Sequence, residues 1–179
     1  MDREKLNSQR QALFARLEEE FTAELIPAKH NEAEEGRFDS LTAFFEDLTA
    51  EGNETIGEFF FLPFEDDETA DMQLFVNYFT IAEDVSEEYL TDVVYAASVL
   101  NSYIPVGTFA YDAAAGSLIY RHATELTLPL SDEELSDRID HSMGMAVDTL
   151  QRFGYLLLEV SDGERTAESV LETLLPGEE

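Results

Sequence analysis

Apolar residues in the first part of the chain recur at helical spacing. Leu6, Leu13, Leu17, Phe21 and Leu25 fall on one face with charges between them, which predicts an amphipathic helix from Asp2 to Leu25, stopped by Pro27. Ala28 to Arg37 is polar and reads as a linker, and Ser40 to Leu48 reads as a short helix ending in the turn Glu51-Gly52-Asn53. The pattern then changes. Ile56 to Phe64, with Phe59, Phe60, Phe61 and Leu62, is too short for a buried helix, and Met72 to Ala82 (Leu74, Phe75, Val76, Tyr78, Phe79, Ile81) has the same character. Both place apolar groups on both pleat faces, with Gln73, Asn77 and Thr80 as exceptions. They predict a hairpin covered on two sides, joined by the acidic turn Glu65 to Asp71.

Ser86 is positioned to cap the next helix, with Glu87 and Glu88 in its first turn and Leu90, Val93, Val94, Ala97 and Leu100 as its apolar stripe. Pro105 leads into a strand, Val106 to Tyr111, and Asp112-Ala113-Ala114-Ala115-Gly116 returns the chain into Ser117 to Leu128. In that strand Leu118, Tyr120, Leu126 and Leu128 share a face with His122 and Thr124, while Arg121, Glu125 and Thr127 face away, so one side is buried and the other wet. Ser131-Asp132-Glu133-Glu134 matches a capping box and opens a long helix carrying Leu135, Ile139, Met143, Ala146, Val147, Leu150, Phe153 and Leu157, with its end at Asp162-Gly163. Arg165 to Leu175 reads as one further, surface-lying helix.

These elements compose an α+β fold in one domain: a twisted antiparallel sheet of two hairpins, with a middle helix and a long C-terminal helix packed on it in the order α-β-β-α-β-β-α, and an amphipathic N-terminal helix added. The expected divisions are residues 1–37 (helix and linker), 38–161 (core) and 162–179 (extension). A chain of 179 residues is of single-domain size, and 13 Phe with 7 Tyr supply its core without cysteines, of which it has none.

Charge alters this picture more than any motif. Forty acidic residues against ten Lys and Arg give a net charge of −30. Between Phe38 and Tyr120 there is no Lys, Arg or His. Such a field repels nucleic acid and anionic membranes and favours solubility, cations or basic protein partners. The charged opening and the lack of a long apolar run predict a soluble cytoplasmic protein, in which Asn53-Glu54-Thr55 is a turn rather than a glycosylation site.

Catalytic signals are sparse. The cluster Glu65, Asp66, Asp67, Glu68 and Asp71, with Glu83 and Asp84 nearby, lacks the spacing of a calcium loop. His122, Asp140 and His141 form the only histidine and carboxylate grouping, without the His-x-x-x-His spacing of one helical face. No Ser lies in a Gly-x-Ser-x-Gly turn, and Gly107 and Gly116 are too isolated to cradle a phosphate. No enzyme activity, cofactor or metal is expected.

The run Ile104-Pro105-Val106-Gly107-Thr108-Phe109-Ala110-Tyr111-Asp112 after Asn101, then Gly116-Ser117-Leu118-Ile119-Tyr120-Arg121 and Leu128-Pro129-Leu130-Ser131-Asp132-Glu133-Glu134-Leu135, resembles the YbjN family and its structural relatives, the class I type III secretion chaperones. The resemblance covers roughly Ile56 to Val160. It implies a twisted antiparallel sheet with helices against it, homodimer formation, no catalysis, and binding of an unfolded or extended protein segment across apolar patches.

The leading expectation is therefore a non-enzymatic protein-binding module, chaperone-like or regulatory. It would receive an apolar segment of a partner near Phe59, Phe61, Leu74 and Val76, and would be homodimeric through the middle helix at Leu90, Val93, Val94 and Ala97, without nucleic acid or membrane partners. Two alternatives stand beside it: an acidic nucleic-acid mimic or sequesterer of a basic protein, and a carboxylate-based metal-dependent enzyme.

Overall fold

The computed structural model describes residues 3–32, 39–62 and 72–175. Four helices and six strands follow in the order α1 (Arg3–Ala23), β1 (Ala28–Asn31), β2 (Ser40–Glu46), β3 (Glu54–Leu62), β4 (Met72–Ala82), α2 (Leu90–Leu100), β5 (Thr108–Asp112), β6 (Ser117–Thr127), α3 (Asp132–Ser161) and α4 (Ala167–Leu174). The strands form one antiparallel sheet in the order β1-β2-β3-β4-β6-β5. The expected α+β class is therefore present, with two strands more than the pattern predicted. The acidic turn Glu65 to Asp71, Phe64 and the Pro176 tail lie outside the described residues.

The chain divides into two compact units, with β2, β3, β4, β6 and α3 each contributing residues to both. The first comprises residues up to Phe45, 56–78 and 122–144. Here α1 buries Leu6, Leu13, Phe14 and Leu17. The helix stops two residues before Leu25, which adopts a left-handed backbone (φ 64°) and is 90% exposed. The amide of Ile26 bonds the carbonyl of Phe21 at 2.8 Å, closing the last turn around that residue. Leu25 thus serves the helix end and not its apolar stripe.

The predicted linker contains β1. Ala28, Lys29, His30 and Asn31 pair antiparallel with Ala43, Thr42, Leu41 and Ser40, a pairing that a polar tetrapeptide cannot announce locally. The predicted short helix at Ser40 to Leu48 is β2. Leu41, Ala43 and Phe45 are buried while Thr42 and Phe44 are only partly covered, so the period is two. Leu41, Phe44, Phe45 and Leu48 also fit a helical spacing, so two periods compete in this segment.

The core of this unit is aromatic. Phe59 and Phe75 stack with centroids 6.5 Å apart, Phe61 tilts against Phe75 at 5.2 Å, Phe14 of α1 meets Phe61 at 5.7 Å, and Phe21 meets Phe45 edge-on at 5.7 Å. Arg16 of α1 bonds Asp140 of α3 at 2.8 Å, and Gln9 donates to the Leu130 carbonyl and to Asp132. The expected capping box closes the start of α3: the amide of Glu134 donates to the Ser131 hydroxyl and the amide of Ser131 to the Glu134 carboxylate. The backbone amide of Ser131, followed by its hydroxyl, lowers the pKa of Glu134.

The second unit comprises 46–55, 79–121 and 145 onward. It opens with a turn in which Asp47 (φ 57°) and Gly52 (φ 78°) reverse the chain and the Asp47 carboxylate accepts the Gly52 amide. Ser86 heads a separate turn, bonding the amide of Glu88. α2 starts at Leu90 after Tyr89, which supplies no side-chain cap. Phe109 packs on Tyr120 at 5.0 Å and Phe79 lies 6.4 Å from it, while the Tyr120 hydroxyl donates to the Val106 carbonyl. Burial pushes the Tyr120 phenol up, against a hydrogen bond with Thr149. At Gly107 (φ 75°) any β-carbon would strike the Tyr120 ring, so both backbone and space demand glycine there. α4 packs on α2 and buries Ala167 and Val170, while Glu168, Glu172 and Thr173 are exposed, so the further helix lies on the surface with one face covered.

Candidate functional site

The β3-β4 hairpin of the first unit decides where surface remains. Along β3, Thr55, Gly57, Phe59 and Phe61 are buried, whereas Ile56, Phe60 and Leu62 are partly exposed and Glu58 is exposed. Along β4, Gln73, Phe75 and Asn77 are buried, whereas Leu74 and Tyr78 are partly exposed. Ring contacts place Phe59, Phe61 and Phe75 on the side that α1 covers, through Phe14 and Phe21. Alternation then assigns Phe44, Ile56, Phe60, Leu62, Leu74, Val76 and Tyr78 to the opposite face, which continues across Ala123, Glu125 and Thr127 of β6, all exposed.

The four residues singled out from the sequence are thus divided. Phe59 (0% exposed) and Phe61 belong to the internal core and meet no solvent-borne partner. Leu74 and Val76 lie on the other face; Leu74 is partly exposed and Val76 is fully buried. The sequence reading did not separate the faces because both are apolar. The separating signal was β-strand parity counted from Gln73 and Asn77, two polar residues that share the covered side.

What covers those polar residues is a compact network. The Asn77 amide donates to the Ser142 hydroxyl at 2.8 Å, and that hydroxyl lies 2.7 Å from the hydroxyl of Thr124. Ser142 is almost fully buried on α3, so this is an internal tie between helix and sheet and not a nucleophile. His122 is partly buried, with its Nδ1 enclosed and unpartnered. Burial lowers its pKa, against the Ser142 backbone carbonyl, and His141 lowers it further. Asp140 turns to Arg16, so His122, Asp140 and His141 do not assemble as one centre. Gln73 accepts from Arg10, whose guanidinium lies over the Phe61 ring at 4.9 Å.

In the second unit, α2 buries Val93, Ala96, Ala97 and Leu100, while Val94 is 50% and Tyr95 49% exposed. Of the expected dimer positions, Val93 and Ala97 are committed to the unit's own core, Leu90 is partly exposed, and Val94 faces out. Tyr103, just beyond the helix, adds a further exposed ring. A depression of ≈ 360 Å³ between α3 and α4 is lined by Glu159, Glu164, Arg165, Thr166 and Ser169. Arg165 is held there by Glu159 and Thr173, so its charge is already matched.

Among the described residues no three His, Asp or Glu side chains gather closely enough to hold a metal ion, and no helix is long and apolar enough to cross a membrane. No family model matches the chain, and no match to it was found among curated proteins or solved structures.

Proposed function

We propose that the chain is a non-enzymatic protein-binding module, chaperone-like or regulatory, that receives an apolar segment of a partner protein on the second face of the first unit's sheet. One observation carries this reading. Phe44, Phe60, Leu74 and Tyr78 are partly exposed on strands whose other face is already filled by the unit's own helix α1. A partly exposed apolar face suits an extended segment, and the acidic surface around it keeps the protein dispersed. The YbjN-like order of elements supports the same reading, as does the outward row Val94 and Tyr95 on α2, which suits pairing of two copies through that helix. A cytoplasmic setting fits both.

The test combines size measurement with binding of an unfolded model client, reduced and alkylated casein. Leu74→Asp should fold and dimerise yet lose the client, while Val94→Asp should become monomeric. A Leu74→Asp protein that keeps the client would overturn the binding reading, and a wild type that is strictly monomeric would overturn the pairing. The alternative of an acidic surface that sequesters a basic protein draws on the net charge of −30. It predicts capture that vanishes with salt and is indifferent to Leu74→Asp.

A further inference from the structure

The sheet order leaves β5 at one edge, where outward backbone groups are open to a strand from another molecule. On its other side β5 pairs with β6, Phe109 opposite Tyr120 and Ala110 opposite Ile119. In an antiparallel ladder alternate residues turn both backbone groups toward the neighbouring strand, and the residues between turn theirs away. Phe109 is one of the latter, and a single side chain takes both its groups. The Phe109 amide donates to Oδ1 of Asn101 at 2.8 Å, and the Phe109 carbonyl accepts from Nδ2 of Asn101 at 2.9 Å. The carboxamide at the end of α2 thus supplies the acceptor and donor that a further strand would present.

We infer that Asn101 is an edge guard, which closes β5 to strand addition by the β5 of a second copy of this chain. Asn101 ends α2 with a right-handed backbone (φ −60°, ψ −17°), so the left-handed conformation that commonly selects asparagine at a helix end is absent, and its side chain accounts for the residue. Without that side chain β5 suits self-pairing. Thr108, Phe109, Ala110 and Tyr111 carry neither charge nor proline; Thr108 is exposed, and Ala110 and Tyr111 are partly exposed. Tyr111, two residues on, turns its backbone the same way as Phe109. Two copies related by a twofold axis would therefore bond Phe109 of each to Tyr111 of the other, with Ala110 at the centre. The opposite edge is blunted differently, since β1 is four residues long and carries exposed Lys29.

The full chain has no cysteine, so Ala110→Cys reports the encounter directly. In the pair centred on residue 110 the two cysteines would stand opposite each other with Cα atoms about 4.5 Å apart, within disulfide reach. Ala110→Cys and Asn101→Ala/Ala110→Cys are oxidised with copper phenanthroline at physiological salt, which screens the net charge of −30. Disulfide-linked dimer is scored on non-reducing gels, with folding checked by circular dichroism. The double variant should form at least about tenfold more dimer, because the two bonds that guard Phe109 no longer compete with a second strand. Ser142→Ala/Ala110→Cys controls for general loosening: it disturbs the buried tie in the first unit, leaves the β5 edge intact, and should match Ala110→Cys alone. Equal cross-linking with and without the Asn101 carboxamide would overturn the inference. So would an increase that the Ser142→Ala control reproduces. If Asn101→Ala does not fold, Asn101→Ser, whose single hydroxyl cannot hold both backbone groups, takes its place with the same outcomes.

Discussion

The two faces of the β3-β4 hairpin are built from nearly the same amino acids and have opposite fates. Phe59 and Phe61 meet rings of α1, Phe75 packs on both, and all three are sealed, while Phe60, Leu74 and Tyr78, at odd spacing from them in the same strands, remain partly exposed. Hydrophobicity alone does not distinguish them. What does is the cover: α1 carries Phe14 and Phe21 to one side, and Asn77 and Gln73 on that side are matched by Ser142 and Arg10. The outer face keeps Phe44, Phe60, Leu74 and Tyr78 partly exposed, and that exposure is the physical basis of the binding proposal.

The comparison breaks most sharply in stability. Phe75→Ala should cost about 3–5 kcal/mol in denaturant unfolding, the usual range for emptying a sealed aromatic site, whereas Leu74→Ala should cost about 1 kcal/mol or less. Equal losses would mean that the faces are equivalent. Next comes the polar tie on the sealed side. Ser142→Ala strands the Asn77 amide and the Thr124 hydroxyl and should cost about 1–3 kcal/mol, while Ser142→Thr retains a hydroxyl and should recover part of it.

A smaller effect concerns pH. The folded pKa of His122 is lowered below 6.5, chiefly by burial, so the unfolded chain takes up that proton first. Its contribution is fully present above about pH 6.5, is lost as pH falls from there toward the folded value, and changes no further below it. Thermal melts of the wild type and His122→Gln should diverge in slope within that window and run parallel above it. Parallel curves throughout would remove His122 from the account. The smallest expected change is at the exposed pair Arg16 and Asp140. Asp140→Asn should shift stability by about 0.2–1 kcal/mol and fade with salt.

Much of this was legible in the sequence where local signals agree. The capping box at Ser131 and Glu134, the Asp112 to Gly116 turn, and the alternation of Leu118, Tyr120 and Leu126 against Arg121 and Glu125 all appear where the pattern places them. Local patterns failed where partners are distant. β1 is a strand only because β2 lies beside it, and Leu25 leaves its stripe because the helix end needs a left-handed residue there. The candidate site was half legible: an apolar hairpin was recognised, but a run such as Phe59-Phe60-Phe61 does not say which ring is inside. Only the position of α1 resolves that.

Because the chain has no cysteine, single cysteines can probe each face without background. The most direct test compares Leu74→Cys with Phe75→Cys, measuring thiol labelling rates in the folded protein alone and with reduced and alkylated casein. The account predicts that the cysteine at 74 labels readily and is protected by the casein, while the one at 75 labels only when the protein unfolds. Equal resistance at both positions, or labelling at 74 that the bound casein leaves unchanged, would contradict it.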